Sequence, residues 1–552
     1  MHTPSATRYL HHGPWSAELR GEELADIRYL GRPVLRGLRA VVRDHNWLTL
    51  APEMVSAASE ETPEGLRLVL ETVWHNDPSR YKGTATLLFD AAAVTITFHG
   101  TAMEDFSSNR IGLVVLHRPD DAGRQLTVTS PDGSSTAGAF PRSISPHQPF
   151  MDIAAMDWER DGTAFRLDFD GEVFETEDQR NWTDASFKTY STPLSRPFPV
   201  AHAPGDEVRQ SIRLSARRIV RIRDEVTATV PQLGTSAGTS AVNAGSLPRG
   251  FGPLLVEVAV RPSAAAATIS AAEAVALAGS LGTSLDARIV AGSPGEVVEV
   301  LRSLPLGRVD RLGVYDGGSH VTLPALWYAL VREAKELGFA GEFVAGARSH
   351  FTELNRNRES ALAVAAGISY SITPKMHAVE PASIVETLPM QTLTAAEALR
   401  IAEGRPVHVG PVMLAPRFNA VAIEAAADGE PTAPDPLGEG EFAAAWLLGS
   451  VAALSVPGIA SVSYATVAEV GFPAGLLLQQ LAELSGAEVL AAETGPDSGL
   501  AVYPVRQGRG HGLVAHVANL TPLPVPVRVA APDGTTLDLD LSAWQTVAVQ
   551  LP

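Results

Sequence analysis

Short runs of alternating apolar and polar residues fill roughly the first 230 positions of the chain, separated by Gly, Pro, Asp and Asn. The clearest runs are LRLVLETVWH (66–75), ATLLFDAAAVTITFHG (85–100), IGLVVLHRP (111–119) and SIRLSARR (211–218). Alternation with a period of two is typical of strands that bury one face. The pattern therefore predicts a large antiparallel β-sandwich over residues 1–232.

A different pattern begins after this region. The stretch 233–253 is rich in Gly, Ser and Thr, which is typical of a loop or linker. Beyond it, seven short apolar runs alternate with helical patterns, from LLVEVAV (254–260) to IASVSYATV (459–467). Repeated strand–helix units indicate a parallel sheet, and this length favours a closed (β/α)8 barrel of the TIM type over residues 233–486. The eighth strand is not evident, since GAEVLAA (486–492) could supply it or could begin the next region.

Residues 487–552 return to a strand pattern, with apolar runs split by Pro-rich and Asp-Gly turns. A small C-terminal β-sandwich fits this region. The predicted fold class is therefore a multidomain α/β and all-β chain: an antiparallel sandwich, a TIM-like barrel and a second sandwich. This layout is common among enzymes that act on carbohydrates, although layout alone is an analogy.

The composition says little about the fold, but it excludes several classes of binding partner and site. The 43 basic and 62 acidic residues leave a formal net charge of −19, which argues against nucleic acid because phosphate binding requires clustered Lys and Arg. The chain has no cysteine, so disulfides, thiolate nucleophiles and cysteine-based metal centres are excluded. No apolar stretch has the length of a signal-peptide core or a membrane span, so we expect a cytoplasmic protein. We also expect a small-molecule substrate and neither cofactor nor bound metal, and the oligomeric state is open.

Reactive side chains of a TIM-type barrel lie just past the C-terminal ends of its strands. The segment RSHFTELNRNRES follows the fourth predicted strand and contains Glu353 with His350, Asn355 and Arg356. A carboxylate among cations and amides can act as a general acid or base. Glu353 is therefore a catalytic candidate, and the other three are candidate substrate contacts. The alternative is a helix start with Thr352 as its cap.

Later strand ends add further candidates. His377 follows the fifth predicted strand and is a second catalytic candidate, whereas His408, inside the next strand, is predicted to belong to the core. Arg417 and Tyr464 follow the sixth and seventh strands as candidate substrate contacts. Glu469 is the carboxylate nearest the seventh strand and could complete a catalytic pair of carboxylates.

Six blocks of the sequence, in order, resemble the D-apionate lactonase family. They are VRDHNWLTL (42–50), ISPHQPF (144–150), ETEDQRNWTDASFKTYSTPLSRPFP (175–199), HFTELNRNR (350–358), YSITPKMHAVEPASIVETL (370–388) and VHVGPVMLAPRFN (407–419). The resemblance implies a hydrolase that opens the lactone of a branched-chain sugar acid in apiose catabolism. It also implies the same three-part layout, with a supersandwich-like first domain.

The stretch FETEDQRNWTDASFKTY (174–190) combines charged, amide and aromatic side chains without a period of 2 or 3.6. On the reading that the substrate is a sugar lactone, each hydroxyl needs a hydrogen-bond partner once water is removed. The stretch is therefore predicted to form a wall of the substrate site and to lean over the barrel mouth around Glu353. The predicted contacts are Glu177, Asp178, Arg180, Asn181, Trp182 and Lys188. The alternative is a solvated strand pair with a buried aromatic anchor.

Three functions are compatible with these residues. In lactone hydrolysis, Glu353 and His377 would activate water, while Arg356 or Arg417 would stabilise the oxyanion. In a glycoside hydrolase, Glu353 would be the acid/base and a second carboxylate near the seventh barrel strand would be its partner. The third is a non-catalytic carbohydrate-binding protein. It is favoured by Thr466, which stands where the resemblance implies a glutamate.

Overall fold

The computed structural model describes residues 7–77, 79–237, 250–263, 267–364, 366–414, 435–465, 472–507 and 512–552. The strands of the first region are β1 (Arg8–His12), β2 (Trp15–Arg20), β3 (Glu23–Tyr29), β4 (Arg32–Asp44), β5 (Ala51–Thr62), β6 (Gly65–Asn76), β7 (Ser79–Phe89), β8 (Ala93–Ala102), β9 (Phe106–His117), β10 (Gln125–Thr129), β11 (Ser135–Ala139), β12 (Phe150–Ile153), β13 (Ala155–Arg160), β14 (Thr163–Asp170), β15 (Phe174–Asp178), β16 (Phe187–Tyr190), β17 (Val200–His202) and β18 (Glu207–Thr229).

These strands form two packed sheets, and the predicted antiparallel sandwich is confirmed. The first sheet has nine strands in the order β1-β2-β3-β4-β9-β16-β15-β12, with β17 beside β9. The second sheet joins β5 to β8 and the hairpins of β10, β11, β13 and β14 through β18. Alternation decides which face each side chain takes: in β4, Leu38 and Val42 enter the core between the sheets, while Arg39 and Arg43 lie on the opposite face.

The predicted TIM-like barrel is also confirmed. Its strands are β19 (Gln232–Thr235), β20 (Leu254–Val258), β21 (Leu285–Ala291), β22 (Val309–Asp316), β23 (Glu342–His350), β24 (Gly367–Ile372), β25 (Val407–Val412) and β26 (Ile459–Tyr464). They form one parallel sheet in the order β19-β26-β25-β24-β23-β22-β21-β20. A bridge between Ser236 and Leu255 brings the two edge strands together, so the barrel is nearly closed.

The strand missing from the sequence-based count is β19, which was interpreted as the start of a linker. It has only four residues, Gln-Leu-Gly-Thr, which is too short for a period to be visible. Leu233 provides its apolar contact with the core. The number of every later barrel strand therefore increases by one. The segment that contains Glu353 follows the fifth barrel strand and not the fourth.

The helices lie outside the barrel and cover its strands. They are α1 (Ala271–Leu281), α2 (Pro294–Ser303), α3 (Pro324–Glu336), α4 (Phe351–Arg356), α5 (Arg358–Leu362), α6 (Pro381–Glu386), α7 (Leu388–Ala402), α8 (Glu441–Leu454) and α9 (Pro473–Ala482). Short 3-10 helices span Pro119–Asp121, Gln179–Trp182, Leu306–Arg308 and Pro436–Gly438. Within the described ranges, no helix has the length and apolar character that crossing a membrane requires.

The C-terminal strands extend the second sheet of the first sandwich. They are β27 (Glu488–Thr494), β28 (Leu500–Arg506), β29 (Leu513–Asn519), β30 (Val525–Ala530), β31 (Thr536–Leu541) and β32 (Thr546–Leu551). The first half of β18 pairs with β8 and its second half with β27, so one strand belongs to both sandwiches. GAEVLAA is thus part of this sheet and does not complete the barrel. The division into residues 1–232, 233–486 and 487–552 stays a proposal.

Candidate functional site

The N-terminal end of the barrel lumen is filled by a buried charged network. Asp286 forms ion pairs with Arg311 at 3.2 Å and with Arg288 at 3.4 Å. Arg311 also donates to His408 Nδ1 at 2.8 Å, and because a guanidinium can only donate, Nδ1 must accept. The proton of the neutral ring therefore lies on Nε2, which donates to Glu342 Oε1 at 3.1 Å. Burial lowers the pKa of His408, and the prediction that it is a core residue is confirmed.

The opposite end of the barrel holds a second buried pair, Glu257 of β20 and Arg348 of β23, here called the mouth pair. Arg348 Nε donates to Glu257 Oε2 at 3.0 Å, and the residues are 1% and 3% exposed. Glu257 is the penultimate residue of β20, and Arg348 lies two residues before the end of β23. Reactive residues of TIM-type barrels come from these C-terminal strand ends. The mouth pair is therefore our candidate active site.

A second guanidinium lies beside the mouth pair. Arg288 is the register partner of Glu257 on the neighbouring strand, and its Nη1 donates to the carbonyl oxygen of Gly410 at 2.5 Å. Burial alone would lower the pKa of Arg288, but Asp286, Tyr315 and Glu257 together outweigh burial and the pKa is raised. The site thus combines one carboxylate, which can accept a proton, with two cations, which can stabilise a developing negative charge.

Glu353, the catalytic candidate from the sequence, forms part of a helix start. Its Oε2 accepts hydrogen bonds from the backbone N–H of His350 at 3.0 Å and from the Ser349 hydroxyl at 2.9 Å. The alternative of a helix start is thus present in the structure, but the cap position is His350 and not Thr352, which lies inside α4. A catalytic role for Glu353 stays a prediction.

The other barrel candidates are scattered. Asn355, Arg356 and His377 are exposed. Tyr464 is completely buried, and its hydroxyl donates to Ser450 of α8 at 2.9 Å, so its side chain points away from the lumen. The Tyr464 hydroxyl thus has a partner inside the protein, and a role for Tyr464 in substrate binding stays a prediction. The remaining candidates, Arg417 and Glu469, lie outside the described residues together with Thr466, so the glycosidase alternative and the substitution at 466 stay untested.

Part of the stretch 174–190 organises its own loop. Asp178 is 1% exposed and accepts from Arg180 Nε at 2.8 Å and from the backbone N–H of Ser145 at 2.9 Å. Asn181 Nδ2 donates to the carbonyl oxygen of Asp178 at 3.1 Å. The Arg180 guanidinium lies 4.4 Å from the centre of the Phe187 ring. These contacts are sufficient to explain Asp178, Arg180 and Asn181 as structural residues.

The remaining residues of the stretch, Glu177, Trp182 and Lys188, line a hollow of about 600 Å³ on the outward face of the first sheet. We call it the sheet hollow. Its lining comes from the first sandwich and includes no barrel residue among those described. The prediction that the stretch shares one hollow with Glu353 is therefore wrong. The reason is that Glu177 and Lys188 lie opposite each other on β15 and β16, and both side chains face the hollow on their own sheet.

Comparison with known proteins gives the family. The family model for the N-terminal domain of D-apionate lactonase matches residues 1–219, and the model for its TIM barrel domain matches residues 259–506. The chain belongs to the D-apionate lactonase family. The D-apionate lactonase of Brucella anthropi is 26% identical over 476 residues, which are 76% of this chain and 74% of that protein.

Solved structures resemble this member of the D-apionate lactonase family only distantly. A β-arabinopyranosidase aligns over 99% of this chain and 96% of its own, at 9% identity and a TM-score of 0.28. A family 51 α-L-arabinofuranosidase from Bifidobacterium longum aligns over 60% of this chain and 97% of its own, at 10% identity and a TM-score of 0.41. A galactose mutarotase-like protein from Lactobacillus casei aligns over 38% of this chain and 100% of its own, at 7% identity and a TM-score of 0.27.

Sequence reasoning missed Glu257 and Arg288 in this D-apionate lactonase family member. A signal was present, because the runs LLVEVAV and DARIVAG each place a charge inside an otherwise apolar strand. Fully buried barrel strands are usually apolar, and a buried charge requires a partner. Across the described part of the chain, no group of three or more His, Asp or Glu side chains is arranged to hold a metal ion.

Proposed function

We propose that this chain hydrolyses the lactone of a sugar acid and that the reaction takes place at the mouth pair. Membership of the D-apionate lactonase family supports the reaction class, and so does the likeness to the Brucella anthropi enzyme over about three quarters of both chains. The barrel supports the location, because its C-terminal strand ends are where this fold carries catalytic residues.

The observation that carries the proposal is the burial of Glu257 and Arg348 at that end of the barrel. Placing two charges in a protein interior is unfavourable unless they are well paired, and such a pair seldom adds stability over apolar residues. A buried ion pair at a strand end where catalytic groups are expected is therefore better explained by chemistry than by stability.

The mouth pair has the groups that lactone hydrolysis requires. Water attacks the lactone carbonyl carbon while Glu257 accepts a proton from that water. Arg348 stabilises the negative charge that develops on the carbonyl oxygen; a guanidinium has five donors and can do this while paired with Glu257. The bond between the carbonyl carbon and the ring oxygen then breaks, and the proton passes from Glu257 to that oxygen. The product is an open-chain hydroxy acid, which is an anion at neutral pH.

The test is an assay of the purified chain against γ- and δ-aldonolactones, with acid release followed in a pH-stat. We expect Glu257→Gln to lower kcat/KM by at least about 100-fold, the usual loss when a general base is removed. The matched control is Glu342→Gln, the same substitution at the N-terminal end of β23, where the carboxylate binds His408. This control should stay within a few-fold of wild type.

Thermal unfolding of both variants keeps folding defects apart from catalytic ones. Glu257→Gln protein that unfolds cooperatively near the wild-type temperature and retains more than half of its kcat/KM would disprove the assignment of Glu257. Wild-type protein that opens none of the lactones above the uncatalysed rate would disprove the proposed function itself.

A further inference from the structure

The sheet hollow is a second site of suitable size for a sugar. Its floor is apolar and is formed by Val41 of β4, Val114 and Leu116 of β9, and Tyr190 of β16, which pack against one another on the outward face of the first sheet. Small-molecule sites usually measure about 300–1,000 Å³ and combine an apolar lining with a few placed polar groups. The hollow, at about 600 Å³, has both the size and the floor of such a site.

Cations outnumber carboxylates around this floor, although Arg39 also forms an ion pair with Glu23, which lies outside the lining, at 3.5 Å. Five cationic side chains and two carboxylates line the hollow, in a chain whose formal net charge is −19. The cations are Arg36, Arg39, Arg43, Arg110 and Lys188. Like charges gathered on one face repel one another, more so where water is partly excluded. An anion in the hollow would relieve that repulsion.

Arg110 is the most informative of these residues. It is 6% exposed, and its guanidinium lies 5.1 Å from the ring centres of both Trp47 and Phe198. Nη1 donates to the carbonyl oxygen of Asn109, but Nε and Nη2 are buried and have no hydrogen-bond partner within the described residues. Leaving buried charged donors unsatisfied is unfavourable, so their retention requires a reason.

Arg43 reinforces Arg110. Its side chain makes no hydrogen bond or ion pair with any described residue, whereas Lys188 is paired with Glu177 in the same hollow. Burial lowers the pKa of Arg110 and of Lys188; Tyr190 and Glu175 oppose this at Arg110, Glu177 opposes it at Lys188, and the positive charge of Arg43 adds to the lowering at both. Arg43 and Arg110 lie directly opposite each other on the paired strands β4 and β9, so both can reach one anionic group.

An aromatic rim completes the hollow. Trp182 is 71% exposed, yet its indole N–H donates to Glu177 Oε1 at 2.9 Å, which fixes the orientation of the ring. Trp47, which is 39% exposed, lies on the other side beside Arg110. Large aromatic faces that are held in place but left open suit the C–H face of a carbohydrate chain.

We propose that the sheet hollow binds the open-chain anion of a sugar acid, with the carboxylate at Arg110 and Arg43 and the carbon chain across the apolar floor beside Trp182. The inference rests on the proposed function, because lactone hydrolysis yields such an anion. The lactone itself has no free carboxylate, so the cations select the product of the reaction over its substrate. The hollow is thus a product site separate from the mouth pair.

The test is isothermal titration calorimetry of the full chain with D-gluconate and with sorbitol, which has the same six-carbon polyol chain without the carboxylate. We expect gluconate to bind at least tenfold more tightly than sorbitol. Arg110→Met should weaken gluconate binding at least tenfold. The matched control is Arg213→Met, at an exposed arginine of β18 in the second sheet, and should leave the affinity unchanged. Equal affinity for the two ligands, or no gluconate binding at millimolar concentration, would overturn the proposal.

Two further measurements locate the ligand. The Glu257→Gln variant should bind gluconate as the wild type does; loss of binding there, with binding intact in Arg110→Met, would move the anion to the barrel and overturn the proposal. Arg43→Met replaces Arg110→Met if the latter does not fold. Gluconate binding that depends on Arg110, in a chain that hydrolyses no lactone, would refute the proposed function but leave the hollow as a sugar-acid site.

Discussion

The barrel lumen and the sheet hollow treat buried charge in opposite ways. In the lumen, Glu257 meets Arg348 and Asp286 meets Arg311. In the hollow, Arg110 is almost as buried as these residues but has two nitrogens without a partner in the described chain. Each of these lumen charges has an opposite charge beside it, so its burial needs no ligand. The two buried nitrogens of Arg110 are donors without a hydrogen bond to the described residues, and we propose that an anion binds there.

The architecture explains the difference. A closed parallel barrel fills its interior with side chains from facing strands, so each charge in it lies close to others. The outward face of an antiparallel sheet has no facing layer, and a row of side chains along β4 and β9 can remain unmatched over a cavity. The barrel is therefore suited to chemistry between fixed groups, and the sheet to holding a ligand that supplies the missing charge.

The largest expected effect comes from removing one cation of each region. Arg348→Met leaves Glu257 buried without this partner, and we expect a loss of about 3–5 kcal/mol in the free energy of unfolding. It should also lower kcat/KM by at least about 100-fold, because an oxyanion donor is lost. Arg110→Met removes an unsatisfied charge and should leave the free energy of unfolding unchanged or slightly higher. Urea unfolding of both variants measures the contrast, and equal destabilisation would contradict it.

The free energy of unfolding should depend on pH through a histidine in the core of the first sandwich, and not through the arginines of the hollow. His117 is 1% exposed, its Nε2 is 2.8 Å from Thr189 Oγ1, and burial lowers its pKa to about 3. The unfolded chain, with a histidine pKa of about 6.5, then binds more protons than the folded chain, so stability falls as pH decreases from about 6.5 toward 3. This one residue should account for a loss of about 2 kcal/mol between pH 6.5 and 4.5.

The check is the slope of unfolding free energy against pH in wild type and in His117→Gln. The variant should be less stable at pH 7 but should have a flatter slope between pH 6.5 and 4.5. Arg110→Met is the control, since arginine does not titrate in this range and the slope should match wild type. An unchanged slope in His117→Gln would assign the acid sensitivity to other groups.

A smaller effect is expected at the rim of the hollow. Trp182→Ala removes an exposed aromatic face, and we expect gluconate affinity to fall about fivefold, from about 1 kcal/mol of contact energy. Tyr328, on α3 of the barrel, is also 71% exposed, so Tyr328→Ala is the matched control. Titration calorimetry should show no change in the control, and the melting temperature of both variants should stay near that of wild type. Equal weakening in the two variants would argue against a rim contact.

The order of regions, and the long alternating strands, could be predicted because each is a local pattern. The hollow could not, since Arg43, Arg110 and Lys188 are far apart in sequence and meet only because β4, β9 and β16 are neighbours in the sheet. Alternation predicts that each of these residues lies on the polar face of its own strand. It does not predict which strands are neighbours in the sheet. The four-residue strand β19 was missed for the opposite reason, because its closure of the barrel depends on tertiary pairing and not on a local period.

Among the candidate site residues, Glu353 has two valid interpretations, and the structure gives contacts for one of them. Glu353 was assigned to catalysis because many polar groups surround it, yet its bonds to His350 and Ser349 are those of a helix start. Glu257 was overlooked because it stands alone among apolar neighbours. A solitary charge in an apolar strand predicts a buried group that needs a partner, whereas a cluster of charges in a loop can remain in solvent.

The smallest expected effect is that of a substitution at Glu353, which tests whether Glu353 or Glu257 is the general base. Glutamine can replace glutamate in a capping box, so Glu353→Gln should lower the free energy of unfolding by less than about 0.5 kcal/mol. The control is Glu273→Gln in α1, where the carboxylate accepts from the N–H of Ser270 at 2.7 Å. If Glu353 only caps its helix, both variants keep kcat/KM within a few-fold of wild type. A 100-fold loss confined to Glu353→Gln would return the general base to the segment after the fifth strand, and the mouth pair would then position substrate and not perform the chemistry.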